Sequence, residues 1–394
     1  MKVCGVIAEF NPFHSGHAYL LQKARELGAT HTVCVMSGNF VQRGDAAVCS
    51  KSARAEAALC CGADLVIELP VTFATATAQR FARGAVSVLE ALGCVQTLVF
   101  GSECSDTERL LQTASALHRD DVLSAQRSRL ALGVTFAAAR QAALNDCGFD
   151  GDLLRNPNDT LAVSYIEALN GIGSKIEPAA VGRAGVGHDG GAAGGFASAS
   201  YLRDMIINGA PVSEYAKYMP AEAARILARE TEQGRCPVLL SRLDSACLAR
   251  LRSMTADDMA RLPDISEGLE NRLYRAVREQ TTVDGVIGAV KSKRYTHARI
   301  RRIVLSALIG IDRSLYDLSA QYIRVLGMNG RGREVLAAAH PSLPLITRAK
   351  DAARLTGDAA RMLCAEQRAD DIAALAAPAV QPCKSTAACV IIAS

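Results

Sequence analysis

The chain of 394 residues is 49% hydrophobic and 21% charged, with a net charge of +4. That length allows two domains or three, and the composition is globular rather than disordered or fibrous. The mild charge excludes a basic footprint over the whole surface, and the absence of Trp argues against a broad base-stacking platform. The thirteen cysteines are scattered and form no CxxC pair, which removes the basis for a zinc ribbon; with their odd number they point to a reducing compartment. No metal-ligand set is expected. The first apolar run is broken by Glu9 and Pro12 and is too short for a signal peptide, and no later run reaches the length of a membrane span. The expectation is a soluble cytoplasmic protein without a membrane partner.

Val3 to Ile7, rich in β-branched residues, reads as a buried strand, and Leu20, Leu21, Ala24 and Leu27 follow at helical spacing. Between them lies Asn11-Pro12-Phe13-His14-Ser15-Gly16-His17. A helix start presents unpaired N–H groups and a positive dipole end, which suit phosphate. His14 and His17, three apart, share one side of the first turn, and Gly16 leaves room for a ligand. His31 to Met36, Ala63 to Leu69 and Val95 to Phe100 are further strand-like runs, separated by helical patterns at 52–61 and 72–92. This alternation predicts an α/β fold with a Rossmann-like, doubly wound parallel sheet. Such sheets bind ligands beyond the strand carboxyl ends, so the loops at 8–17, 37–51, 70–78 and 101–105 are the places to look. The loop from Ser37 to Asp45, continuing to Lys51 and Arg54, carries polar groups expected to face the crevice.

Residues 106–148 have a helical pattern, and Asn156 to Asp159 form a turn and cap before a helix at 161–169. Ile176 to Val181 is a strand that Pro178 confines to an edge or a bulge. The glycine-rich loop from Arg183 to Gly195 leads into Ser198-Ala199-Ser200-Tyr201-Leu202-Arg203. This reads as a second helix start, capped by Ser198 or Ser200, with hydroxyls and Arg203 forming a second phosphate cradle. By pattern alone Asn158 is a cap, Arg183 a surface charge, and Gly101 a turn that could pass beneath a nucleotide. From about Val212 the strand signals stop and helical patterns dominate, including one at 315–325. The expected organisation is a nucleotide-binding catalytic domain at 1–211, an all-helical domain at 212–373 and an Ala-rich tail at 374–394. The helical part carries a basic run, Lys291, Lys293, Arg294, Arg299, Arg301 and Arg302, with Tyr295 and His297 interleaved and no acid. It reads as a contact for an RNA phosphate backbone.

Two imidazoles at a helix start suit cleavage at an α-phosphate. Charge builds on the pentavalent oxygens and on departing pyrophosphate, and imidazole donors stabilise it without a covalent step. The HxGH pattern, followed by Ser-x-Ser-x-x-Arg, resembles the HxGH nucleotidyltransferase superfamily. More narrowly, VIAEFNPFHSGH, VMSGNFVQRGD, ADLVIELP, FGSE, PND and GRAGVGHD resemble the bacterial tRNA(Met) cytidine acetate ligase family. The likeness continues through EGLENRL, KRYTHARIRRI and YIRVLGMNGRGRE in the helical half.

That resemblance implies an enzyme that uses ATP and acetate to form acetyl-adenylate, releasing pyrophosphate. The acetyl group then passes to N4 of the wobble cytidine of elongator tRNA(Met). Carried over by position, the family's ATP contacts fall on Ile7, Ala8, Glu9, Phe10, Asn11, Pro12, Phe13, His14, Ser15, Gly16, His17, Ala18, Tyr19 and Leu20, and on Gly101, Asn158 and Arg183. His14, His17 and Arg203 are the expected catalytic residues, with Ser200 on the outer phosphates and Mg²⁺ accompanying ATP. The second motif departs from the superfamily's Ile-Ser-Ser-Thr-x-x-Arg: here Ala199 and Ser200 stand for the second Ser and the Thr. Two other readings are compatible with the residues: a cofactor-forming adenylyltransferase that uses no RNA, and an RNA-binding protein with an inactive nucleotide site.

Overall fold

The computed structural model describes residues 1–183, 191–266, 268–383 and 389–392. Most of the glycine-rich loop, residues 184–190, lies outside the described residues. The strands are β1 (Val3–Ala8), β2 (His31–Ser37), β3 (Phe40–Val41), β4 (Asp45–Ala46), β5 (Leu65–Leu69), β6 (Thr97–Ser102), β7 (Glu177–Gly182), β8 (Ala192–Ala193) and β9 (Phe196–Ala197). Three more follow: β10 (Ile323–Met328), β11 (Leu345–Ile346) and β12 (Val390–Ile391). The main sheet has a parallel core in the order β5-β2-β1-β6-β7. β2 and β5 are buried throughout, which is why their sequences are unbroken apolar runs rather than alternating ones. β7, the strand with Pro178, sits at the end of the sheet, where a missing N–H is tolerated.

The chain winds from β1 outward through β2 to β5, then returns to the other flank of β1 for β6 and β7. The winding direction therefore reverses between β1 and β6, and the crevice beyond their carboxyl ends is the place where such sheets hold ligands. The helix α1 (Ser15–Glu26) begins at that point. The helix α2 (Lys51–Cys60) follows the β3–β4 hairpin. The predicted helix over 72–92 is two helices, Val71–Ala74 and Ala78–Leu92, and the stretch 106–148 is three.

From Val212 to Tyr316 every described element is a helix. The departure comes next. The helix expected over 315–325 ends at Tyr316, and Ile323–Met328 forms β10, antiparallel to β5. β10 also pairs with β11 and β12, so the C-terminal half supplies one side of the main sheet. All six β10 residues are buried, so neither a helical nor a strand period marks the run in the sequence.

A buried ionic cluster fastens this junction. Lys51 Nζ lies 2.6 Å from Glu68 Oε1 and 2.6 Å from Asp370 Oδ1, and Arg324 lies 2.8 Å from Glu68 Oε2. The Val71 N–H donates to Glu366 Oε2 at 2.7 Å. Burial and the neighbouring Glu68 push the Glu366 carboxyl well above the usual range, so it is uncharged. Lys51 and Arg324 then balance Glu68 and Asp370. Among the described residues, Glu68, Glu366 and Asp370 are the one carboxylate group close enough to share an ion, and these two cations already supply the positive charge. Lys51, expected to face the crevice, puts its side chain into this cluster instead.

Candidate active site

After β1 the chain reverses sharply. Phe10 adopts φ +48 and is buried, a left-handed backbone that costs a non-glycine residue about 1–2 kcal/mol and is held by its surroundings. Its ring packs 5.0 Å from Phe13 and 4.9 Å from His17, so an apolar floor fixes the imidazole from below. His14 is the N-cap of α1. Its Nδ1 accepts from the Gly16 N–H at 3.0 Å, and His17 Nδ1 accepts from the His14 N–H at 3.2 Å. The two rings stack at 3.8 Å with 23° between planes. Each Nδ1 is thus an acceptor, which assigns the proton of each neutral ring to Nε2. The pair presents two N–H donors and no charge. A Cβ on Gly16 would lie 2.9 Å from His14 Cε1, so the glycine makes room for the capping ring as well as for a ligand.

Both histidines are held neutral. Burial, then Arg183 and Arg203, lower His14 to about 3. Burial, then His14 and Arg183, hold His17 well below its ordinary value. A depressed folded pKa means that the unfolded chain binds more protons between pH 3 and 6.5, so this contribution is present above pH 6.5 and is lost as the pH falls. Lowering the pH from 6.5 to 5 should cost about 1.6 kcal/mol through His14 alone. Urea unfolding of the protein and of His14→Asn at both pH values checks this, and equal pH slopes for the two would contradict it.

The cavity at the switch point has a volume of about 530 Å³. Of the residues carried over from the family, Ile7, Ala8, Glu9, Phe10, Asn11, His14, Gly16, His17, Tyr19 and Leu20 line it, as do Gly101, Asn158, Arg183 and Arg203. Pro12, Phe13, Ser15 and Ala18 do not; Phe13 is part of the floor. Ser200 is also outside the lining, but its Oγ accepts from Arg203 at 3.1 Å, and Arg203 donates to the Asn11 carbonyl at 2.8 Å. Ser198, not Ser200, caps the helix Ala199–Ile207, through its Oγ and the Tyr201 N–H.

Two side chains support the site from beneath: Asp159, which the sequence pattern does not single out, and Arg54, whose side chain turns inward instead of facing the crevice as expected. Asp159 is fully buried, and its Oδ1 accepts from Ser102 Oγ at 2.5 Å and from the Glu103 N–H at 2.9 Å. Glu103 in return accepts from Asn158 Nδ2 at 2.5 Å and from the Asp159 N–H at 3.0 Å. This reciprocal bracket locks the end of β6 to the helix Pro157–Gly171 and fixes Gly101 and Asn158 at the rim. The adjacent FGSE and PND motifs are its only trace in the sequence. Arg54 is buried and donates to the carbonyls of Glu9, Ser37, Gly38 and Cys49, tying together the loops after β1 and β2. Burial pulls it down to about 10.

The basic run divides. Lys291, Lys293 and Arg294 are exposed. Arg299 donates to the Asp264 carbonyl and to Ser266 Oγ, and Arg302 pairs with Asp264 at 3.2 Å with its side chain 13% exposed. Arg301 pairs with Asp284 and Asp45. The fork of each guanidinium finds an acceptor on a neighbouring element, so these three help to fix the helix His297–Ile309 in place. Among the described residues no helix is long and apolar enough to cross a membrane.

A parallel sheet with a histidine pair at the first helix start, facing arginines across a cavity, defines a nucleotidyl-transfer site. The comparisons agree: a family model described as HIGH Nucleotidyl Transferase matches residues 1–387. "tRNA(Met) cytidine acetate ligase" of Thermoanaerobacter sp. strain X514 is 39% identical over 88% of this chain and 89% of its own. The protein of the same name from Fervidobacterium nodosum is 38% identical over 89% of this chain and 84% of its own. The crystal structure of Thermotoga maritima TmcAL bound with alpha-thio ATP superposes with a TM-score of 0.92 at 34% identity and covers 100% of both chains. The chain belongs to the HIGH nucleotidyl transferases and, among them, to the tRNA(Met) cytidine acetate ligase family.

Proposed function

We propose that this enzyme condenses acetate with ATP to acetyl-adenylate and pyrophosphate, and then transfers the acetyl group to N4 of the wobble cytidine of elongator tRNA(Met). The observation that carries the first step is the stacked, neutral pair His14 and His17 lining one cavity with Arg183 and Arg203. ATP lies beyond β1 and β6, with its α-phosphate at the start of α1. The acetate oxygen attacks the α-phosphorus in line; that bond forms as the bond to the β-phosphate oxygen breaks, so no enzyme nucleophile is needed. The two Nε2–H groups donate to the α-phosphate oxygens, where charge accumulates. Arg183 and Arg203, with Ser200 holding Arg203, stabilise the pyrophosphate. Among the described residues Glu9 is the only carboxylate lining the cavity, so a Mg²⁺ ion would be held by the ATP phosphates rather than by a protein cage and would neutralise part of their charge. The cytidine amine then attacks the acetyl carbon; the N–C bond forms as the C–O bond to AMP breaks, AMP leaves, and N4 gives up one proton to solvent.

We assign residues 1–211 to this chemistry and 212–373 to RNA binding, apart from β10 and β11, which complete the main sheet. Lys291, Lys293 and Arg294 contact tRNA phosphates, while Arg299, Arg301 and Arg302 shape the surface that carries them. Incubation with ATP, labelled acetate and bulk bacterial tRNA tests the reading: label in acid-precipitable RNA supports it. Pyrophosphate release only with a mononucleotide or phosphopantetheine acceptor points to a cofactor adenylyltransferase, and RNA binding without ATP turnover to an inactive site. Replacing Lys293 and Arg294 together with Ala should weaken tRNA binding and reduce the slope of log affinity against log salt by about 2, one per lost phosphate contact. Arg302→Ala should instead lower stability. Equal salt slopes for wild type and the double variant would remove these residues from the RNA contact.

A further inference from the structure

The β3–β4 hairpin stands between the nucleotide cavity and the basic helix. Its tip residues Gln42 and Arg43 line the cavity together with His14, Arg183 and Arg203. The Gln42 N–H donates to Glu9 Oε1 at 2.9 Å, which ties the tip to the loop after β1. The strands are anchored, since Phe40 and Val41 are buried. On the other side Gly44, at φ +74, lies against the backbone of the helix His297–Ile309. A Cβ there would stand 2.6 Å from Arg302 N and 2.8 Å from Arg301 C. Arg301 adds a 3.4 Å pair with Asp45. The tip is held from both sides, so Arg43 is on a fixed support rather than a loose loop. Arg43 and Arg203 line the same cavity.

Charge balance gives this residue work to do. The histidine pair is neutral, and Glu9 brings a carboxylate into the same cavity. Among the described lining residues Arg155 is paired with Asp152 at 3.2 Å, so Arg183 and Arg203 against Glu9 leave one net positive charge for a departing pyrophosphate that carries several negative ones. We propose that Arg43 is a third phosphate-binding arginine, which contacts the pyrophosphate part of ATP from the hairpin tip. The inference rests on the ATP reading above and names a ligand group for a residue outside both the HxGH and the Ser-x-Ser-x-x-Arg segments. It also gives the helical half a part in the nucleotide site, because that half supplies the surface against which Gly44 is seated.

The test is equilibrium binding of AMP and of an ATP analogue with a methylene bridge between its α- and β-phosphorus atoms. The proteins are wild type, Arg43→Gln and Arg43→Lys, with thermal melting as the check on folding. Arg43→Gln should bind the ATP analogue roughly 10- to 100-fold more weakly and AMP within about twofold of wild type, since AMP lacks the group contacted. Arg43→Lys should recover part of the loss, because it keeps the charge without the fork. Unchanged binding of the analogue by Arg43→Gln overturns the proposal. So does an equal loss for both ligands, which would mark Arg43 as a structural support of the cavity. If wild type binds neither nucleotide, the ATP reading itself falls, and this inference with it.

Discussion

His17→Ala should lower acetate-dependent ATP–pyrophosphate exchange by about 10²–10³-fold, the usual effect of removing one preorganised donor from a developing oxyanion. The donor here carries no charge before the reaction. His17 accepts the His14 N–H through Nδ1, which forces its own proton to Nε2. Removing the ring also takes the stacking partner from His14, so the variant loses one donor and misplaces another. The same argument predicts that tRNA binding is spared, because the exposed basic residues Lys291 and Lys293 lie on a different part of the chain. Exchange rates, a tRNA binding curve and a melting curve are the measurements. Exchange within tenfold of wild type would remove His17 from the transition state. A parallel collapse of tRNA binding and melting temperature would show a folding defect, which His17→Gln, keeping an acceptor near the His14 N–H, distinguishes.

The second large effect belongs to the ionic cluster. Glu68→Gln should destabilise the protein by about 3–5 kcal/mol, because it leaves Lys51 and Arg324 buried against Asp370 alone. Glu366→Gln, a few ångströms away and equally buried, should cost less than about 1 kcal/mol, since its carboxyl is already uncharged and an amide oxygen can still accept the Val71 N–H. Two glutamates in one cluster thus lose very unequal amounts of stability to the same substitution. Urea unfolding at pH 7 measures both. A larger loss for Glu366→Gln than for Glu68→Gln would reverse the charge assignment of the cluster.

The sequence shows β1, β2, β5 and β6 clearly because each is an apolar run closed by Gly, Pro or a polar turn, and their alternation with helices is enough to place the crevice. His14 and His17 are legible because a short motif sits where a strand passes into a helix. β10 is not legible, since a run buried on both faces has no period. Arg299 and Arg302 look like RNA contacts in one dimension, because their acceptor, Asp264, lies more than thirty residues earlier. Asp159 is hidden, and Arg54 is visible but given the wrong direction, for the same reason: their work is defined by carbonyls and amides on other elements. Short-range pattern reports what a segment is. The partner that a buried polar group will meet is a property of the closed fold.

β10 completes the sheet from the far end of the chain, and that has a consequence for synthesis. β5 leaves the ribosome some 260 residues before its partner strand, a delay of roughly 10–50 s at ordinary elongation rates. Throughout that interval one side of β5 presents unpaired N–H and C=O groups along an apolar strand, the kind of edge to which other chains add. Nascent copies emerging side by side on a polysome are thus exposed to one another until Met328 is made, and the rate of translation through the helical half sets how long the chain must be shielded.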